Sequence, residues 1–568
     1  MILLRSMCRF FCVGLMGFWV SNALADCATT EIDVLGDGTQ CETAKFSVTT
    51  TDTTSTFLFR MSAAGVFYVD WGDGVVEQID RTDNTEIADY SHSYETAGSY
   101  IIRFAGESTA YNTGATSVMT FYKASGGTQA KVYKISGSLG ALFPTLGDGS
   151  QPRFNQTFRE CSELIKPLPS NLFTGITGAP VSYMFSQTFR ETSSLTGSAP
   201  RLGNLVGAPA PYMFYYTFYS SHISSFPSDM FAGINGAPAD YMYSYTFGNC
   251  RWLSANTTIP SAFFGTFDGP PATAMFYGTF INTFNNMTGA IPENLFAGIV
   301  GPAAPSMFKN MFADAYGISS IPENLFAGIS GPPAKEMFSQ TFYGTKITSI
   351  PENLFAGISG PPAANMFYRT FYNTKQLKSI PEGLFSGIQG PAAASMFEQT
   401  FYGCSALRGF VSPHLFEGIT GSANRMMTQI FYNSGLATTC PNGYTQYITG
   451  FESAWNSKVA CYKCDEDYEL AYANGCHTEC STAKALHIGD IVYPLFADRE
   501  KMSRPTLSFS SDDAACYVYL ESGNANGLNL KALNGTIYHA VDPTTPKYRC
   551  VNDGGTWDTD NETCLYEE

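Results

Sequence analysis

Ile321 to Ala334 reads IPENLFAGISGPPA, and Ile350 to Ala363 repeats it letter for letter. A chain that writes one peptide twice has to give both copies a place in the same architecture, so the internal repeat constrains the fold before any other signal does. Around the duplicated peptide lies a looser unit anchored on Met-Phe-x-x-Thr-Phe, as at Met337, Phe338, Thr341 and Phe342. The anchor pairs fall at Met184-Phe185, Met213-Phe214, Met242-Tyr243, Met275-Phe276, Met307-Phe308, Met337-Phe338, Met366-Phe367, Met396-Phe397 and Met426-Met427, with a diverged first copy at Arg153-Phe154. That makes about ten copies, roughly 29 to 33 residues apart.

Within one unit, Lys346 to Asn373, the segment Ile347-Thr348-Ser349-Ile350 reads as a short strand that must stop at Pro351, which has no N–H for a ladder. Proline holds the same column at Pro227, Pro260, Pro292, Pro322 and Pro381. Pro351 to Ala356 is expected to make one or two helical turns ended by Gly357. Gly360-Pro361-Pro362 then restarts the chain into a second helix, Ala363 to Tyr372, whose Ala363, Met366, Phe367 and Phe371 form one apolar stripe. Gly344, Asn373, Gly403 and Asn433 follow the aromatic pair, as a left-handed cap requires.

A unit of this kind buries a Met, three Phe, a Leu and two Ile, at about 1.5 to 3 kcal/mol each. Ordering its backbone costs about 1 to 2 kcal/mol per residue. One unit therefore cannot stand alone, and stacked neighbours must share their apolar faces. The column after the cap holds Thr345, Thr374, Ser434, Ser221, Thr192 and Ala315, but Cys161, Cys250 and Cys404 in three copies, which marks a small buried slot. Copies three units apart would lie roughly 14 Å from each other at about 4.8 Å per stacked strand. A disulfide needs Cα atoms within about 7 Å, so three free buried thiols are expected.

The amino terminus has Arg5 and Arg9, an apolar run Phe10 to Val20 and then Ala23-Leu24-Ala25, which reads as a signal peptide (1–25) cleaved after Ala25. Asp26 before Cys27 argues against a lipoprotein, and no later stretch reaches the 18 or so apolar residues of a membrane span. The expected location is secreted or cell-surface. In that compartment Cys27, Cys41, Cys440, Cys461, Cys464, Cys476, Cys480, Cys516, Cys550 and Cys564 read as a disulfide framework of open connectivity rather than a zinc site, despite the Cys461-x-x-Cys464 spacing. A formal net charge of −17 argues against nucleic acid, whose phosphates need clustered Lys and Arg.

Residues 26–107 alternate polar and apolar positions, and Val69-Asp70-Trp71-Gly72-Asp73-Gly74-Val75 predicts a tight hairpin with positive φ at Gly74. Asp70, Asp73 and Asp80 suit calcium less well than the role of turn residues that accept local backbone N–H groups. WGDG, followed by His92-Ser93-Tyr94 and Ala97-Gly98-Ser99-Tyr100, resembles the PKD-type β-sandwich. Met396 to Leu407, with its neighbouring I/L-T/S-S-I strand and Leu-Phe turn, resembles the BspA-type leucine-rich repeat of bacterial surface proteins over about Phe154 to Thr439. That resemblance implies a solenoid used in adhesion. Pro in place of a third strand residue departs from its pattern.

The expected fold is multidomain. An N-terminal β-sandwich (PKD-like) spans 26–107 and a connecting segment or solenoid cap 108–150. A central α/β leucine-rich-repeat-like solenoid follows at 151–439, then a Cys-rich module at 440–480 and a small disulfide-bonded β domain at 481–568. No HExxH, phosphate-binding glycine loop or GxSxG elbow occurs, so no catalytic, cofactor or metal residues are assigned. The partner-binding candidates are positions that vary without harm to the stack: Tyr219, Tyr343, Tyr372, Tyr402 and Tyr432 after the buried Phe, with Lys346, Lys375, Gln376 and Lys378. The expected function is protein–protein or host/matrix adhesion through the solenoid. The alternative is a carbohydrate-binding exoprotein whose terminal modules recognise glycans and whose repeats are a spacer.

Overall fold

In the computed structural model the segment before residue 140 becomes two antiparallel sheets. The structure describes residues 27–463, apart from 166, 255–256, 262, 284–288, 413, 442–443 and 448–450, and strand segments between 485 and 565. The expected signal segment and Cys464, Cys476, Cys480, Cys516 and Cys550 lie outside the described residues. A small hairpin of β1 (Glu31–Asp33) and β2 (Cys41–Thr43) carries the disulfide Cys27–Cys41. Strands β3 (Phe46–Thr50), β4 (Thr54–Met61), β5 (Ala64–Asp70), β6 (Val76–Arg81), β7 (Ala88–Gly98), β8 (Ile101–Ala110), β9 (Met119–Thr120) and β10 (Val132–Gly137) follow. They sort into a five-stranded sheet in the order β10-β3-β8-β5-β6 and a three-stranded sheet β7-β4-β9. Phe59 of one sheet meets Phe104 of the other edge to face, ring centroids 5.1 Å apart, so the two pack through their buried faces.

The WGDG turn closes as the sequence predicts: Trp71 N–H donates to Val75 O at 2.9 Å, and Gly74 has φ +95°. Asp70 and Asp73 accept the amides of Gly72 and Val75 at 2.8 and 3.2 Å, so both act as turn residues. His92 Nε2 sits 2.7 Å from Asp73 and its ring stacks on Trp71, while Tyr94 donates its hydroxyl to Trp71 O at 2.9 Å. The two sequence motifs therefore lock onto one another around a single turn.

The repeating units depart from expectation in one consistent way. Neither segment read as a helix is one; among the described residues the single α-helix is Leu139–Leu142. In the ribbon from Ala334 to Thr345 the N–H groups of Met337, Ser339, Thr341, Tyr343 and Thr345 each donate to the carbonyl three residues back. The intervening N–H groups leave the unit altogether. Those of Glu336, Phe338, Gln340, Phe342 and Gly344 donate to Ala364, Met366, Tyr368, Thr370 and Tyr372 of the next unit, at 2.8 to 3.1 Å. Half the amides close turns and half form a parallel ladder to the neighbour, so the backbone is satisfied without a helix.

This ribbon repeats every four residues. Glu336, Gln340 and Gly344 have φ of 59, 58 and 69°, and corresponding positive values recur in each unit, as at Asn365, Arg369 and Asn373. A right-handed helix cannot pass through such residues. Gly344 and Asn373 are left-handed, as the sequence predicts, but as the third such position of a ribbon rather than as helix caps. Between them Met337, Phe338, Thr341, Phe342 and Thr345 point inward and are buried. Phe338 stacks on Phe367 and Phe342 on Phe371, with centroids 5.6 Å apart in both pairs.

Two further columns join the units. Ile318–Ser320 pairs in parallel with Gly289–Ala290, and the N–H groups of Lys346 and Thr348 continue that column to Ile318 and Ser319. Gly331 and Gly360 bridge in parallel to Ile358 and Ile388. Gly357, read as a helix stop, has another role: a Cβ there would lie 2.2 Å from the carbonyl oxygen of Ile329, because the preceding unit's backbone passes directly against it. The turn at Pro351 also uses bonds to the third residue back, Leu354 to Pro351 and Ala356 to Asn353.

The first ladder amides come from the sheets: Val118 and Phe121 donate to Arg153 and Thr157 at 2.8 and 2.9 Å, and Phe121 stacks on Phe158. At the other end Trp455, fully buried, packs on Phe416 and Phe431. The disulfide Cys440–Cys461 joins the segments beyond. Strands at Ala485–Ile488, Ile491–Phe496, Tyr517–Tyr519, Asn529–Lys531 and Ile537–Val541 form one sheet, while Cys564 lies in the strand Thr563–Leu565 opposite Trp557. The described chain is thus mostly strand and turn in small sheets, and among the described residues no helix is long and apolar enough to cross a membrane.

Candidate functional site

The four-residue ribbon decides which side chains face outward. Residues just before the last left-handed position of each unit lie at the surface where they are tyrosines, so a residue type kept in that column lines up unit by unit. Tyr343, Tyr372, Tyr402 and Tyr432 occupy such a column and stack in series, with centroid separations of 4.9, 4.5 and 5.1 Å. Arg369 braces them from the side, its guanidinium 5.2 Å from the Tyr372 ring and 4.9 Å from Tyr368, held by a 2.6 Å hydrogen bond to Gln399.

The ladder stops at Tyr343. In the unit before, the same column holds Ala313, and further back Ile281 and Gly248, so Tyr219 is cut off from the row to which the sequence assigned it. A cleft of about 320 Å³ opens where the ladder ends. Tyr343, Lys346, Lys375 and Gln376 line it, four residues singled out from the sequence; Asp314, Tyr316, Gly344, Thr345 and Asn373 complete it. Lys378 lies outside the cleft, its backbone bonded into the column between Thr348 and Arg408.

Gly344 makes the hollow. Its neighbours in the left-handed column are Asp314 and Asn373, and a Cβ on Gly344 would come within 2.7 Å of Asp314 Oδ1. Tyr316 donates its hydroxyl to that oxygen at 3.0 Å. Burial pushes the Asp314 carboxyl above its ordinary range, against the opposing effects of the Tyr316 hydrogen bond and Arg251. Burial also raises Tyr343 and Tyr316. Lys346 and Lys375 are exposed, and neither makes an ion pair among the described residues. The cleft therefore offers two aromatic rings, Tyr343 and Tyr316, with a carboxyl, two amides and two lysines, which is chemistry for recognition.

Tyr219 belongs to a second aromatic cluster that sequence reasoning missed. Tyr183, Tyr212 and Tyr241 stack at 4.9 and 4.8 Å, and Tyr216, Tyr245 and Tyr277 continue beside them. Arg190 lies over Tyr216 and Tyr219, and Lys309 over Tyr277. The available signal was Tyr212 and Tyr216 spaced by four, both left-handed.

Cys161, Cys250 and Cys404 are free and buried, as expected. Cys250 and Cys404 donate to the carbonyls of Phe218 and Phe371, one unit earlier, at 3.0 and 3.1 Å, and Thr374 makes the same bond to Phe342 at 3.3 Å. Thr and Cys interchange there because each offers a small donor to one carbonyl. Cys27, Glu31 and Cys41 lie close enough to suggest a metal site, but the two sulfurs are joined to each other and supply no thiolate. No protein family, curated protein or solved structure matches this chain.

Proposed function

We propose that the chain is an exported binding protein in which the units stack into a solenoid, and that the outward face of the ribbon adheres to an extracellular matrix or cell-surface protein. The observation that carries this is the ladder Tyr343–Tyr372–Tyr402–Tyr432 ending in a cleft rimmed by Lys346 and Lys375. Tyrosines stacked on each other turn their edges to a partner, giving a rigid strip of apolar bodies and polar tips, the composition enriched at protein interfaces. The in-register ladder between units supports the stacked reading, and the two disulfides fit an oxidising compartment. The resemblance to BspA-type repeats implies adhesion as well, although the all-turn unit lacks that pattern's helix.

The test is binding of the secreted chain to immobilised matrix proteins and to cells, for wild type and the pair Tyr372→Ala with Tyr402→Ala. Loss of about tenfold or more in affinity, with an unchanged circular dichroism spectrum, is the expected result. Equal binding by the variant, or binding that follows the segment after residue 440 alone, defeats the proposal and returns the repeats to the role of spacer.

A further inference from the structure

We infer that the cleft at the open end of the tyrosine ladder is a subsite for one carboxylate-bearing sugar of a glycan, its ring stacked on Tyr343 and its carboxylate between Lys346 and Lys375. This rests on the proposal that the ribbon face is the binding face and names the chemistry one part of it would read.

The ladder supplies the first argument. Tyr372 has a tyrosine on each side, at 4.9 and 4.5 Å, but Tyr343 has one on one side only, because Ala313 stands where the next ring would be. A sugar's C–H face on the electron-rich face of Tyr343 extends the stack by one ring. Size is the second. At about 320 Å³ the cleft sits at the low end of ligand pockets, which run from about 300 to 1,000 Å³, so it suits a single ring rather than a nucleotide or a folded peptide. The lining is the third: Asp314 accepts, and Asn373 and Gln376 each both donate and accept, which matches a ligand dense in hydroxyls.

Lys346 and Lys375 select the charge. In a chain of net charge −17, two exposed lysines with no ion pair among the described residues make a local positive rim. A free phosphate would satisfy the lysines and leave Tyr343 and the amides unused. An acidic sugar uses all of them.

The experiment is calorimetric titration of the full secreted chain with a sialyl oligosaccharide, a glucuronyl oligosaccharide, their carboxyl-reduced counterparts and inorganic phosphate. At least one acidic sugar should bind about tenfold or more tighter than its reduced form. Lys346→Gln with Lys375→Gln should erase that preference, and Tyr343→Ala should remove binding of both forms, each with an unchanged thermal midpoint. Equal affinity for acidic and reduced sugars, no binding of either acid, full displacement by phosphate, or indifference to these substitutions overturns the inference. Which acid binds identifies the source. Adhesion measured on Tyr372→Ala with Tyr402→Ala, neither of which lines the cleft, beside adhesion of Lys346→Gln with Lys375→Gln, separates failure of this subsite from failure of the adhesive face.

Discussion

Thr341 donates its hydroxyl to the carbonyl oxygen of Phe308, one unit earlier, at 3.0 Å. The bond recurs as Thr188 to Phe154, Thr217 to Phe185, Thr370 to Phe338 and Thr400 to Phe367, each at 2.9 Å. It explains why threonine holds the fifth position of Met-Phe-x-x-Thr-Phe: the slot is fully buried and one wall of it is a carbonyl. Thr341→Val keeps the shape and loses the donor, so unfolding in urea should show a loss of about 0.5 to 1.5 kcal/mol. Thr341→Ser should keep the bond and lose only methyl packing. A valine variant as stable as wild type would show that the hydroxyl contributes nothing.

Gly357 faces the Ile329 carbonyl so closely that even a methyl has no room. Gly328 and Gly387 meet Ile299 and Ile358 in the same way, at 2.1 and 2.2 Å. Gly357→Ala should push the two units apart and cost about 1 to 3 kcal/mol, the range for overpacking. Gly421, with no atom near its missing Cβ but φ of +68°, is the control: alanine there meets backbone strain alone. Thermal midpoints compare the two. The distinction disappears if Gly357→Ala is the milder change.

The left-handed positions give a prediction with a sign on each side. Gln340 has φ of 58°, where a side chain costs roughly 1 to 2 kcal/mol relative to glycine's freedom. Gln340→Gly should therefore be neutral or stabilising, and Gln340→Val, branched at Cβ, should destabilise the fold. A helix would reverse the order, since glycine is poor and valine tolerated there. Paired denaturation curves thus test the ribbon itself.

Much of this was legible. The buried Phe and Met, the small Cys slot and the WGDG turn stand in the structure as the sequence predicts, and Gly344 and Asn373 are left-handed although no helix precedes them. What misled was spacing by four: Ala363, Phe367 and Phe371 share a face in a helix and in a four-residue ribbon alike, and three residues cannot tell 3.6 from 4. The discriminating sign was the strict pairing of Met366-Phe367 with Thr370-Phe371, buried two at a time. The cleft was half visible. Tyr343, Lys346, Lys375 and Gln376 were named, but Asp314 and Tyr316 come from the preceding unit and join them only through the ladder register. For the same reason the row drawn through Tyr219 broke, because its continuity depended on Gly248, Ile281 and Ala313.

The three thiols offer a chemical check on the stack. Burial pushes Cys161, Cys250 and Cys404 well above the ordinary thiol range, so little thiolate forms at neutral pH. Peptide mapping after alkylation of the native protein should find these three unmodified, and all three labelled after denaturation. Labelling of any one in the native state, or a disulfide between two, contradicts the unit-by-unit ladder.

Asp314 carries the pH prediction. Burial raises its folded-state carboxyl above the ordinary value of 3.8, while Tyr316 and Arg251 act in the opposite direction without overcoming it. Between the unfolded and the raised folded value the folded chain holds the proton more tightly than the unfolded chain does. Stability from this group is therefore present below the unfolded value and is lost as pH rises through the folded one. Asp314→Asn keeps an oxygen for the Tyr316 hydroxyl and removes the titration. The variant should match wild type in acid and become the more stable protein as pH rises toward neutrality. The readout is the difference between their urea unfolding free energies from pH 3.5 upward. A difference that is flat with pH, or that grows in acid instead, would mean that Asp314 is held as a comfortable carboxylate and that the cleft is wetter than its lining implies.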